Sequence, residues 1–228
     1  MKRLLLLAVL SVFGFSLNSI SQNLTNEGTE FFVAFPEVYD NAAATFEINI
    51  SSRVAASGIV EITGTGFFQN YNVVPGVVTT VTLIGADADI TINETVVERA
   101  IHVTADNPVT VYASTFHSAR SEASICLPVT ALSSSYMVTT YPTMLKSGIW
   151  YQSEFMVVAG PVACDVTIIP SCVTESGVPA GTPIAVHLDP NEVYYLTAFR
   201  EGFLPSRKII RILESNQAII QLTEATPD

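Results

Sequence analysis

Residues 101–112 read Ile-His-Val-Thr-Ala-Asp-Asn-Pro-Val-Thr-Val-Tyr, and this stretch decides the fold class. On either side of Ala-Asp-Asn-Pro, apolar and polar residues alternate with a period of two. That period is the pattern of a strand with one face on a core and the other in water. The four residues in between are typical of a turn. The stretch therefore predicts two strands separated by a turn.

The same pattern recurs along the chain, for example in Phe46–Ser51 and Ile59–Thr63. Val, Ile, Thr, Phe and Tyr dominate these runs, and such residues suit a pleated, half-buried surface. No window of a dozen residues keeps an apolar period of 3.6. Short strands with regular turn punctuation are typical of an all-β sandwich or barrel, and we predict antiparallel β-sandwich-like modules.

An internal repeat divides the chain into two modules. Residues 28–36 resemble residues 134–142, and four single residues in the first half have counterparts in the second half at offsets between 106 and 113: Phe46 with Phe155, Val60 with Val166, Leu83 with Leu196 and Val111 with Ile220. One such match would mean little, because any two alternating strands resemble each other, but the order is kept throughout. We predict a first module at 22–113, a connecting segment at 114–133 and a second module at 134–228, which is cut short at its C-terminus.

Composition and charge exclude several classes of protein. The 228 residues are 49% hydrophobic and 14% charged, and the formal net charge is −11. Disordered chains have lower hydrophobicity and more charge, and an acidic protein repels the phosphates of nucleic acid. Twelve glycines and three cysteines also exclude collagen-like and disulfide-dense scaffolds. We therefore expect a globular chain that does not bind nucleic acid.

The first 21 residues have the layout of a secretory signal peptide. A basic start at Lys2 and Arg3 precedes an apolar stretch from Leu4 to Leu17, and small residues precede Gln22. A transmembrane anchor would need about 20 continuous apolar residues, and this run is shorter. We expect cleavage after Ser21, a mature formal charge of −13, and a product that is secreted or held at the cell surface without inserting into a membrane.

Several phrases of the sequence resemble the N-terminal domain family of IgGFc-binding protein. They are residues 28–36, Ile50-Ser51-Ser52, residues 100–109, residues 127–132 with Tyr136, and residues 153–159. The likeness runs from Gly28 to the C-terminus. Similar domains occur in large secreted proteins of gliding bacteria and in an animal mucus protein. The resemblance implies an extracellular recognition or adhesion module of bacterial origin, within a longer chain, without implying that it binds immunoglobulin.

No catalytic signature is present in the sequence. It contains no Gly-x-Ser-x-Gly elbow, no His-Glu-x-x-His pair and no phosphate-binding Gly-x-x-x-x-Gly-Lys loop. His102, His117 and His187 are isolated from one another. A Ser/His/Asp triad is recognised by geometry and could still assemble in the fold. We predict that the protein is not an enzyme.

Aromatic residues are the candidate ligand contacts. Trp150-Tyr151 and Tyr194-Tyr195 are adjacent pairs, so in a strand one ring of each pair should face away from the core. Exposed aromatic rings are common on protein-binding surfaces. We predict a ligand site at these four residues, with Trp150 as the best single candidate; the alternative for Trp150 is a core anchor.

Two further features carry weaker predictions. Asp87 and Asp89, with Asn93 and Glu94 nearby, could supply oxygen ligands to Ca²⁺, although a solvated acidic turn fits them better because the spacing is not that of an EF-hand. We expect no other cofactor.

The cysteines carry a prediction of their own. Cys164 and Cys172 flank a predicted strand, and eight extended steps of about 3.3 Å separate them too far for a disulfide. Cys126 could reach one of them.

Three functions remain open from the sequence. The first is a non-catalytic binding or adhesion module that recognises an extracellular protein or glycoprotein. The second is a structural spacer that contacts other domains of a longer surface protein. The third is an enzyme whose residues converge only in the fold.

Overall fold

The computed structural model describes residues 25–38, 43–118, 120–140, 142–146, 148–199, 210–213 and 218–223. The predicted signal peptide, residues 1–21, lies outside these ranges. Within them the regular secondary structure is almost wholly strand, with almost no helix, which confirms the all-β class. Its elements are β1 Glu27–Val33, β2 Phe35–Pro36, β3 Thr45–Ser51, β4 Ala56–Ile62, β5 Phe67–Val73, β6 Thr79–Leu83, a one-turn helix α1 Gly85–Ala88, β7 Asp89–Ile90, β8 Val96–Val97, β9 Ile101–His117, β10 Arg120–Cys126, a 3-10 turn Val129–Ala131, β11 Ser135–Tyr136, β12 Met144–Lys146, β13 Ile149–Tyr151, β14 Glu154–Ala159, β15 Cys164–Ile168, β16 Ile184–Leu188, β17 Val193–Thr197, β18 Ile210–Leu213 and β19 Ala218–Thr223.

A seven-stranded antiparallel sheet forms the first half of the fold. Its strand order is β5-β4-β9-β3-β6, and both β1 and β10 also pair with β9. The alternation in β3 places Phe46, Ile48 and Ile50 in the core, and they are fully buried. They pack in one cluster with inward residues of β1, β4, β5, β6 and β9. The sheet therefore folds over on itself around a single core, as expected of a sandwich.

Strand β9 differs from the prediction, because the turn expected at Ala105–Pro108 lies inside it. Residues up to Ala105 pair with β4, and residues from Thr110 onward pair with β3. Residues 106–108 are exposed at the position where the strand passes from one layer of the sheet to the other. Turn-forming residues thus mark a corner of one long strand and not the end of a hairpin.

The predicted connecting segment, residues 114–133, begins within the first sheet. β9 continues to His117, and β10 pairs with it in register from Arg120↔His117 to Cys126↔Val111. The inward positions here carry small or polar side chains, so the alternation of apolar residues is weaker than in β3. The segment contributes one complete strand to the first sheet before the chain reaches the second half.

Two four-stranded sheets form the second half. One has the order β11-β18-β15-β16, and the other has the order β19-β14-β17-β8. Phe155 and Leu196 from the second sheet pack against Val166, Ile168 and Leu188 from the first sheet. These residues make a second core, separate from that of the first half.

The strand pairings of the two halves correspond. In the first half β4 pairs with β5 and β9, and β3 pairs with β6 and β9. In the second half β15 pairs with β16 and β18, and β14 pairs with β17 and β19. The register pair Phe46↔Leu83 has its counterpart in Phe155↔Leu196. A duplication requires such pairings, and the repeat itself stays a prediction that superposition of the halves would test.

A third hydrophobic cluster joins the two halves. Phe32 and Ala34 from the first half pack against Met156, Val158 and Tyr195 from the second half. Strand β8, which precedes β9, adds to the second sheet by pairing with β17. β2 and β7 form a short parallel pair nearby, an exception to the antiparallel prediction. We call the contact between the two halves, made by the third cluster and the β8–β17 pairing, the junction.

In the described part of the chain no helix has the length and apolarity to cross a bilayer.

Candidate functional site

Tyr194 and Tyr195 lie in β17, and both rings are buried. Tyr194 is 6% exposed and packs in the core of the second half, whereas Tyr195 is 3% exposed and packs in the junction. The two rings do point to opposite faces, as strand geometry requires. The expectation that one of them faces solvent is wrong, because the first half of the chain covers the outer face of β17.

The Tyr195 hydroxyl faces an acidic group at the edge of the junction. It donates a hydrogen bond to Oε2 of Glu154. Burial, followed by the charge of Glu154, raises the pKa of Tyr195 far above its ordinary value. Burial also raises the pKa of Glu37, with further contributions from the charges of Asp89 and Glu175. Carboxylates from both halves thus meet at this edge, and Asn93 donates to Oε2 of Glu175 across it at 3.1 Å.

Asp87 and Asp89, the predicted Ca²⁺ ligands, lie in different environments. Asp87 is half-buried in α1, and Asp89 is buried in β7. The main-chain carbonyl of Asp87 accepts a hydrogen bond from Arg99 at 3.0 Å. Among the described residues, no group of three or more His, Cys, Asp or Glu side chains could hold a metal ion. The structure does not bring these two aspartates together as a ligand set, and the Ca²⁺ site stays a prediction.

Trp150 and Tyr151 lie on β13, which pairs with β12 in a separate two-stranded sheet. The register places Trp150 opposite Leu145 and Tyr151 opposite Met144. Tyr151 is half-buried, while the side chain of Trp150 lies outside the described part of the structure. Their hairpin is not paired with the three larger sheets and forms a two-stranded sheet of its own within the described chain. Binding by these residues stays a prediction.

Two of the histidines, His102 and His187, contact carboxylates. His102 lies between Glu61 and Glu30, with its Nδ1 3.2 Å from Oε1 of Glu61 and its Nε2 3.1 Å from Oε1 of Glu30. Its ring stacks on Phe32 with centroids 4.4 Å apart. On the surface of the second half, Nδ1 of His187 is 2.7 Å from Oδ1 of Asp165, and this hydrogen bond is the main reason that the pKa of His187 is raised. These contacts tie neighbouring strands together.

All three cysteines are buried, and none of them forms a disulfide with another. Burial raises the pKa of Cys126 to about 12 and that of Cys164 to about 11. A thiolate is the reactive form of cysteine. The thiols of Cys126 and Cys164 therefore stay protonated and unreactive at neutral pH, and Cys164 and Cys172 do not pair with each other.

The sequence analysis missed an exposed sheet face with two aromatic rings. Tyr112 and Phe116 point outward from β9, where they are 41% and 48% exposed, and Ile125 of β10 lies directly opposite Tyr112. Strands β3 and β6 continue this surface, which we call the β3–β9 face. Its signal was present in the alternation of Tyr112, Ser114 and Phe116, but Ser114 and Phe116 fall within the predicted connecting segment, where no strand was expected.

The comparison with family models identifies one region of the chain. Residues 122–216 match the family described as IgGFc binding protein. This finding confirms the resemblance stated from the sequence over residues 122–216. The matched region starts in β10, contains β11 to β17 and ends just after β18, so it covers the core of the second half and its side of the junction. Neither the curated proteins nor the solved structures contain a match to the chain.

Proposed function

We propose that the chain is a non-catalytic extracellular module that binds a protein or glycoprotein. The match of residues 122–216 to the IgGFc-binding family carries this proposal, because that family is named for a binding function. Export through the predicted signal peptide, residence at the cell surface, bacterial origin and adhesion are parts of the same proposal.

The fold supports binding because it holds surface features on a rigid frame. The halves share a buried cluster and a strand pairing, so loops and faces of both halves keep fixed positions relative to each other. Binding residues commonly lie on the exposed parts of such scaffolds. The β12–β13 hairpin and the β3–β9 face are the two exposed features with aromatic residues that we consider candidates.

The junction also favours a second function, a structural spacer in a longer surface protein. In this chain one module already docks on the next through a buried apolar cluster and through β8, which adds to the sheet of the second half. Further modules could attach in the same manner. A spacer would contact only neighbouring domains and would bind no separate extracellular ligand.

An array of glycoproteins and glycans, probed with the purified mature chain, tests the proposal. It should include IgG Fc, because the family name points to it, and bovine serum albumin as a negative control. We expect saturable binding to at least one extracellular protein or glycoprotein. Absence of binding across the array, together with binding to other domains of the same longer chain, would favour the spacer.

Trp150→Ala is the first variant to examine on that array. We expect weaker binding with an unchanged melting temperature, because β13 lies outside the larger sheets. A core anchor would instead cost about 3–5 kcal/mol on truncation. A large drop in melting temperature would contradict the binding role, and the neighbouring variant Tyr151→Ala shows whether any effect is particular to the tryptophan.

A further inference from the structure

The β3–β9 face is a partly solvent-exposed surface across four strands. A row of directly opposed residues crosses it, with Thr80 of β6 beside Asn49, Asn49 beside Tyr112, and Tyr112 beside Ile125. Phe116 lies four residues further along β9, about 13 Å from Tyr112 between Cα atoms at an ordinary strand rise. The surface therefore holds two half-exposed rings at a fixed separation.

Beside Tyr112, hydrogen bonds fix the orientation of the polar groups. The Thr80 hydroxyl donates to Oδ1 of Asn49 at 2.7 Å, and Nδ2 of Asn49 donates to Oγ of Ser114 at 2.7 Å. Ser114 is buried beneath this network. Each of the three side chains keeps unused hydrogen-bonding capacity. A ligand would thus meet polar groups that are already oriented, which lowers the entropic cost of binding.

The corresponding face of the second half shows by contrast that the β3–β9 face is not suited to dock against another module. At the positions that match Glu47 and Asn49 in β3, strand β14 carries Met156 and Val158, and these side chains are buried in the junction. An apolar neighbour therefore covers the apolar face. On the β3–β9 face, docking of another module would bury a carboxylate and an amide, which is unfavourable without dedicated partners.

The charge of the β3–β9 face restricts its ligand further. Among its described residues, Glu47 is the one carboxylate, and none is a lysine or arginine. A sialylated or sulfated ligand would meet no cation there, and the protein as a whole is strongly acidic. A neutral ligand with hydroxyl groups and flat apolar patches fits these conditions.

We propose that the β3–β9 face binds a neutral saccharide, which deepens and rests on the proposed extracellular binding function. The rings of Tyr112 and Phe116 stack on the apolar faces of sugar rings. Asn49 and Thr80, in the row that contains Tyr112, exchange hydrogen bonds with sugar hydroxyls. Amphipathic rings on a rigid strand suit this role, because one surface of the ligand is apolar and its edges are polar.

The test uses the full mature chain on an array of neutral oligosaccharides that end in galactose, N-acetylglucosamine or mannose. Sialylated and sulfated forms of the same backbones, and glycoproteins before and after enzymatic removal of glycans, complete the array. Calorimetry then measures the affinity for the tightest neutral oligosaccharide. Tyr112→Ala and Phe116→Ala are the test variants. Phe68→Ala is the matched control, since Phe68 is also an exposed strand phenylalanine, at 55%, but lies on β5.

We expect each test variant to bind the neutral oligosaccharide about tenfold more weakly, equivalent to about 1.4 kcal/mol, with the control and all melting temperatures unchanged. Thr80→Val, which removes the hydroxyl but keeps the shape, should also weaken binding. Equal affinities for wild type and both ring variants would overturn the assignment to this face. Undiminished binding to deglycosylated proteins would overturn the saccharide but leave the proposed function standing. Absence of binding to every probe would overturn both.

Discussion

Phe32→Ala tests whether the two halves are held together by the junction. Phe32 is 2% exposed, packs with Met156 and Tyr195, and stacks on His102. Truncation of a buried phenylalanine costs about 3–5 kcal/mol, because apolar contacts are lost and a cavity remains. In a chain of this length about 1 kcal/mol shifts the melting temperature by 2–4 °C. The expected decrease is therefore about 6–20 °C.

Thermal unfolding followed by circular dichroism measures this shift, and Phe68→Ala is the matched control. The control makes the same substitution at an exposed strand position in the first half, where surface changes are usually within about 0.5 kcal/mol. Hydrogen exchange adds a local readout, because amides of β14 and β17 should lose protection in Phe32→Ala. A melting temperature within 2 °C of the control, a margin that follows from about 0.5 kcal/mol, would refute the junction as a stabilising contact.

Three further predictions concern other parts of the structure. Gly58→Ala should lower the melting temperature, because a Cβ there would lie 1.8 Å from the carbonyl oxygen of Thr104 on β9. Gly85→Ala serves as its control, because a Cβ there would make only ordinary van der Waals contact with the Phe46 ring, at 3.8 Å. Glu37→Gln should raise the melting temperature at neutral pH. Because the pKa of Glu37 is raised in the folded protein, the wild type loses stability as the pH rises from the ordinary pKa of Glu37 through its folded value. Glutamine does not ionise, so the variant avoids this loss. The gain should vanish below the ordinary pKa of Glu37, and a gain that is equal at all pH values would contradict this origin. In the folded protein almost no thiol should react with a thiol reagent, and after unfolding in guanidinium three thiols per chain should react. Fewer than three reactive thiols in the unfolded protein would indicate a disulfide.

The fold class was predictable because strand periodicity is a local property. Phe46, Ile48 and Ile50 alternate with polar residues, and all three are buried. The corner of β9 was not predictable in the same manner, since Asp106, Asn107 and Pro108 favour a turn wherever they occur. Only pairing with strands distant in sequence, β3 and β4, determines that the chain continues as one strand.

The error at Tyr194 and Tyr195 has a different cause. A strand with solvent on one face alternates, but a strand covered on both faces reads as a continuous apolar run. β14 and β17 have such runs, Phe-Met-Val-Val-Ala at 155–159 and Val-Tyr-Tyr-Leu at 193–196. The two-sided burial was therefore readable from the residues. The identity of the covering segment, which contains Phe32 and lies more than 100 residues earlier, was not.

The outward positions of the two corresponding sheets decide what each half can contact. A charge at Met156 would be buried in the junction without a partner, so the apolar residues of β14 are constrained by the first half. Glu47 and Asn49 of β3 are under no such constraint, because water covers them as well as a ligand would. Apolar residues at those positions would instead create a large exposed patch, which promotes association. The outward residues of β3 can therefore change without disturbing the junction, whereas those of β14 cannot. If related chains bind different ligands, we expect their sequences to differ at the outward positions of β3.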